Sequence, residues 1–74
     1  MKDALRDSND TDRLISSATV VRLTGLSRMS VWRLEKAGKF PRRVKIGERR
    51  VAWLLSEVLA WMAERLAERD GDDR

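Results

Sequence analysis

Apolar positions change period several times along this chain, and each change marks an element. Leu14-Ile15 is a short apolar entry suited to a brief extended segment, followed by Ser16-Ser17. Val20, Val21 and Leu23 then recur at helical spacing, which predicts a short helix over residues 18–24. Either serine suits its cap, because a hydroxyl oxygen accepts from backbone N–H groups left free in the first turn. Gly25 stops the helix, since glycine enters left-handed geometry without a Cβ penalty. Ser27 caps a second helix of about ten residues, and Gly38 closes it by the same device. Gly25-Leu26 leaves only a tight turn between the two helices, with Leu26 filling the angle.

Lys39-Phe40-Pro41 breaks the helical run, because proline pushes its predecessor out of the α region. Two short runs follow, residues 43–46 and 49–53, around Gly47-Glu48, a Gly-X pair that suits a two-residue type II′ hairpin loop. That register sets Val44 opposite Val51 and Lys45 opposite Arg50, with Arg43 alongside. It also puts Ile46 and Trp53 on one apolar face, where Arg49 is the single charged member. Ser56 is placed to cap a last helix, with Glu57 favourably set in its first turn. Val58, Leu59, Trp61, Met62 and Leu66 form an apolar stripe at helical spacing that should close the core. The expected architecture is mainly α with a small β-hairpin, a winged helix-turn-helix of three helices plus a wing over residues 13–69. Residues 1–12 read as a flexible N-terminal tail and residues 70–74 as a flexible acidic C-terminal one.

Composition narrows what such a domain does. A chain of 74 residues makes one small domain, burying about 60% of its unfolded surface. It has no cysteine, hence no disulfide or thiolate metal site, and no histidine, the commonest general base and zinc ligand. An enzyme is therefore the least expected class, and no metal or cofactor is called for. No apolar run approaches the ~18 residues of a membrane span, and the N-terminus lacks a signal-peptide layout, so a cytoplasmic protein is expected.

Charge is distributed unevenly. Arg13 to Arg50 holds eleven Lys/Arg against two acids, Glu35 and Glu48, so the formal net of +4 hides a middle segment of +9. Positive charge gathered in this way is built to meet a polyanion, of which nucleic acid is the usual one. On a helical wheel, Val31 and Leu34 face the first helix, while Met29, Trp32, Arg33 and Lys36 cluster on the other side. Arg28 lies in the first turn, where recognition helices touch base edges. Arginine offers a planar fork for guanine O6 and N7, and lysine a point charge for phosphate. Lys45 and Arg50, paired across the hairpin, would repel unless something negative lay over them, and phosphate would resolve the conflict. Trp53 and Trp61 read as core, whereas Trp32 sits at the edge of the exposed face. Glu35 reads as pairing locally with a basic neighbour.

Residues 14–15, the run Leu23-Thr24-Gly25-Leu26-Ser27-Arg28-Met29-Ser30-Val31-Trp32-Arg33-Leu34 and Gly38-Lys39-Phe40-Pro41 resemble the AlpA family of prophage regulators. Val44-Lys45-Ile46-Gly47, Arg50-Val51-Ala52-Trp53 and Ser56-Glu57-Val58-Leu59-Ala60-Trp61 continue the resemblance, which covers about residues 13–69. It implies kinship with excisionase and MerR-like winged helix-turn-helix domains. It also implies a role in activating integrase transcription, or in favouring excision of a mobile element as a recombination directionality factor. Family members often carry Ser or Thr where Met29 and Ser30 stand, an aromatic at Trp32 and Glu at the place of Thr19.

Residues and resemblance together predict a protein that binds duplex DNA sequence-specifically. The second helix would use Ser27, Arg28, Met29, Ser30, Trp32, Arg33 and Lys36, and the wing and its flanks Arg42, Arg43, Lys45, Arg49 and Arg50. One recognition helix reads few base pairs, so a homodimer or cooperative multimer on tandem sites is expected, with an integrase as a further candidate partner. The rival class is a protein-interaction module, such as an antirepressor that borrows this fold to bind another regulator.

Overall fold

The computed structural model describes residues 13–72. In chain order they form β1 (Leu14–Ile15), α1 (Ser17–Thr24), α2 (Arg28–Lys36), β2 (Val44–Lys45), β3 (Val51–Leu54) and α3 (Leu55–Asp72). Serine caps start both short helices. Ser16, in extended backbone, accepts at Oγ from the Thr19 N–H at 3.2 Å, and Ser27 accepts from the Ser30 N–H at 3.1 Å. Gly25 ends α1 at φ 79°, and its N–H donates to the Val21 carbonyl at 2.8 Å. The Thr24 hydroxyl fixes the turn that follows. It donates to the Val20 carbonyl at 2.8 Å and accepts from the Leu26 N–H at 3.1 Å.

Past the α2 cap at Ala37, Gly38 takes φ 74°. Its N–H reaches the Glu35 carbonyl at 2.9 Å and the Lys39 N–H reaches Leu34 at 2.8 Å, the paired bonds of a Schellman ending. Both helix ends thus use glycine as the spacing predicts.

The sheet is larger than a hairpin. Its order is β1-β3-β2, antiparallel throughout, with β3 at the centre. The brief extended entry is a true strand, pairing Leu14 with Leu54 and Ile15 with Trp53. The expected hairpin register is corrected by one residue: Val44 faces Ala52, and Lys45 faces Val51 rather than Arg50. The Ile46 N–H donates to the Arg50 carbonyl at 2.9 Å, leaving Gly47, Glu48 and Arg49 in a three-residue loop. The physical reason lies in β3. Ala52 is 3% exposed and Trp53 2%, so both faces of the strand are covered, while Val44 and Ile46 stay exposed. The single apolar face that a two-residue loop at Gly47-Glu48 would create does not exist, and Ile46 and Trp53 lie on opposite sides.

Strand runs into last helix without a linker. α3 begins at Leu55, one residue before the expected cap at Ser56, and the Leu55 N–H donates to the Arg13 carbonyl at 2.9 Å. That bond continues the β1–β3 ladder into the first residue of the helix. The helix continues to Asp72, past Arg69 where its end was expected. The remaining tail expectations, for residues 1–12 and 73–74, lie outside the described residues.

The core joins Ile15, Val20, Val31, Phe40, Trp53, Leu55 and Val58, with Leu26, Leu34, Val51, Trp61 and Met62 packed around it. Phe40, expected only as part of a helix-breaking tripeptide, is buried and meets the Trp61 ring edge-on, centroids 4.8 Å apart. The Trp61 indole donates to the Lys39 carbonyl at 2.7 Å. The loop after α2 is thereby pinned to α3. Leu59 and Leu66, the other members of the predicted stripe, remain exposed.

Candidate nucleic-acid interface

Helix α2 owes its orientation to Val31, which is buried, and to Leu34, packed on the edge of the core. Turning those two inward leaves Arg28, Met29, Trp32, Arg33 and Lys36 exposed, as the wheel predicts. Met29 is 60% exposed and Trp32 46%, an unusual apolar display among charges. The Lys36 ammonium stands 4.9 Å from the Trp32 ring centroid, a cation–π contact that orients the indole along the helix. Ser27 and Ser30 are committed to one another as well as to the cap, their hydroxyls 3.1 Å apart. No acid occupies the first turn of α2, so nothing there opposes an anion approaching the positive end of the helix dipole.

The corrected register redistributes the wing. Val51 and Trp53 line a hollow shared with Val20, Val31 and Trp32, so their face of the sheet looks toward α1 and α2. Val44 lines a groove shared with residues of α3 on the other side. Strand alternation puts Lys45 with Val51, on the side of the recognition helix, and Arg50 with Ala52, on the other. Lys45 and Arg50 therefore do not oppose each other, and the expected like-charge clash is absent. Lys45, Glu48, Arg49 and Arg50 are exposed along the hairpin and its tip. Arg42 is exposed beside Trp32, Lys36 and Gly38, extending the basic surface past the C-terminus of α2.

Arg43 behaves differently from the other predicted contacts. Its Nε and Nη2 donate to one oxygen of Glu35 at 2.8 and 2.7 Å, and its guanidinium lies 5.2 Å from the Trp53 ring centroid. The other Glu35 oxygen accepts from the Trp53 indole N–H at 3.0 Å. The local ion pair expected for Glu35 is present, but the carboxylate also ties the recognition helix to the central strand. Two signals in the sequence pointed toward it: Glu35 is the single acid of α2, and a buried tryptophan needs an acceptor.

A turn-linked helix pair between the first strand and the hairpin that completes a three-stranded antiparallel sheet, with a third helix after it, defines a winged helix-turn-helix protein. The chain belongs to the family of the prophage CP4-57 regulatory protein AlpA, which it matches over residues 13–66. It is also similar to an uncharacterized protein, ORF88, of enterobacteria phage P4, with 47% identity over 58 residues. That match spans 78% of this chain and 66% of the phage P4 protein. The family is one of prophage regulatory proteins. No helix among the described residues is long and apolar enough to cross a membrane.

Proposed function

We propose that this protein binds duplex DNA sequence-specifically in the bacterial cytoplasm, as a regulator of integrase expression, a recombination directionality factor, or both. In this reading α2 lies in the major groove with Arg28, Met29, Trp32, Arg33 and Lys36 toward the bases. Ser27 and Ser30 hold its first turn near the backbone. Arg42, Lys45, Arg49 and Arg50 meet phosphates from the flank and the wing. One observation carries the reading: the only acid of α2, Glu35, is turned inward onto Arg43 and Trp53, leaving an exposed face of bases and apolar side chains.

Copies of the protein are proposed to bind side by side on tandem sites. The far half of α3 exposes Leu66 on one face and, roughly 160° around the helix, Glu64 and Glu68 beside Arg65, an acidic pair opposite in sign to the basic face a neighbouring copy presents. With about five phosphates neutralised, log K should fall with log salt at a slope near −4 to −5. A gel-shift titration over a range of salt reads that slope, and a flat response sinks the electrostatic account. Footprinting on DNA flanking the gene separates the outputs. Protection at an integrase promoter supports activation, and protection within a recombination site supports excision. Reversing the charges of Lys36 and Arg50 should abolish activity; retained activity would favour the protein-interaction module.

A further inference from the structure

We infer that Glu35 is a positioning residue that withholds the Arg43 guanidinium from DNA phosphates while locking α2 to the sheet. This inference rests on the DNA-binding reading. Arg43 shares one hollow with Arg28 and Trp32 and another with Trp32, Lys36 and Arg42, so it sits among the groups assigned to DNA. Yet the Nε–Nη2 edge of its fork is spent on Glu35, whose side chain is only 10% exposed. A phosphate that drew this arginine away would strand a nearly buried carboxylate with one indole donor left, which is a costly exchange. The arginine therefore braces the frame through that edge, and although its side chain is 38% exposed, the ion pair keeps it from swinging out to a phosphate as its unpaired neighbours can.

The consequence concerns specificity. Each arginine free to meet phosphate adds affinity for any sequence, so removing one from the surface lowers loose binding without touching base readout. Glu35→Gln keeps the shape and an acceptor for Trp53 but removes the charge that holds Arg43. On a mixed-sequence duplex of fixed length, this variant should bind severalfold more tightly. Its salt slope should steepen by about 0.9, the increment for one phosphate gained. On a duplex selected from a random library, the ratio of specific to mixed-sequence affinity should fall.

Glu57→Gln, which makes the same change in net charge on exposed α3, should leave the slope near that of the unaltered protein. Glu35→Gln combined with Arg43→Gln should return to it. A slope that does not steepen in Glu35→Gln, or steepens equally in Glu57→Gln, overturns the role of Glu35. Simple loss of structure would lower affinity without steepening. If Glu35→Gln fails to fold, the unaltered protein still decides by NMR. The Arg43 Nε–H resonance should stay in place on adding duplex while those of Arg28 and Arg33 move, and a shifted Arg43 resonance overturns the inference. Failure of the unaltered protein to bind any duplex would instead defeat the DNA-binding reading itself.

Discussion

If α2 lies in the major groove as proposed, a thioether left in water on its charged face would meet the C5-methyl of a thymine. Met29 sits at the second residue of α2, flanked by Arg28 and one turn from Arg33, and is the most exposed large apolar side chain described. Met29→Ala should weaken binding to a selected duplex by roughly 0.8 kcal/mol for each methyl or methylene group no longer buried against the base. Replacing the thymine it meets with deoxyuridine should cost a similar amount. The two effects should not add, because they break the same methyl–thioether pairing from opposite sides. Additive effects, measured by fluorescence anisotropy, would assign the thymine to another residue. Met29 was visible as exposed from spacing, since helical periodicity fixes direction once Val31 and Leu34 are committed inward, whereas Trp32 was placed only at the edge of that face and its 46% exposure came from the structure. Arg43 was not separable from its basic neighbours. Its partner lies eight residues away on another element, and a run of like charges does not show which member is already spoken for.

At the scale of elements, the local devices govern what the recognition helix can do. Ser27 is both the α2 cap and a group assigned to the DNA backbone. Ser27→Ala should lower stability by about 1 kcal/mol in denaturant unfolding, through the orphaned Ser30 N–H. Ser27→Asp should restore stability, because a carboxylate also caps, yet weaken DNA binding by placing a negative charge at the groove. Recovery of both by aspartate would reduce Ser27 to a cap alone. Caps and glycine stops were legible in the sequence because each acts over three to five residues. The hairpin register and the start of α3 were not. Their determinants are distant: Trp53 pairs with Ile15, and the Leu55 N–H finds its acceptor at Arg13. Phe40 went unplaced for the same reason, since Trp61 is what gives it a site.

For the whole molecule, the sheet, α1, α2 and the first turns of α3 make one packed body, from which the rest of α3 extends. The described residues reach 47 Å along their longest axis against 20 Å along the shortest. In the proposed side-by-side arrangement, this helix is the part a neighbouring copy would reach first. Leu66→Lys should therefore reduce cooperativity between adjacent sites while leaving affinity for a single site unchanged. Gel shifts on duplexes carrying one or two sites distinguish these quantities, and equal weakening on both would move Leu66 out of any contact between copies.

Strand β3 is bonded on both sides and passes without a break into α3. During synthesis, β1, α1, α2 and β2 all leave the ribosome before it. Until residues 51–58 emerge there is no centre for the sheet, no Trp53 for Glu35 to hold, and no Val58 to cover the core. A truncated or stalled chain would carry the basic helix without the frame that aims it, and the entropy of closing residues 16–50 into a loop goes uncompensated until that last strand arrives. The proposed capacity of α2 to read DNA and the completion of the sheet are thus tied to the same eight residues.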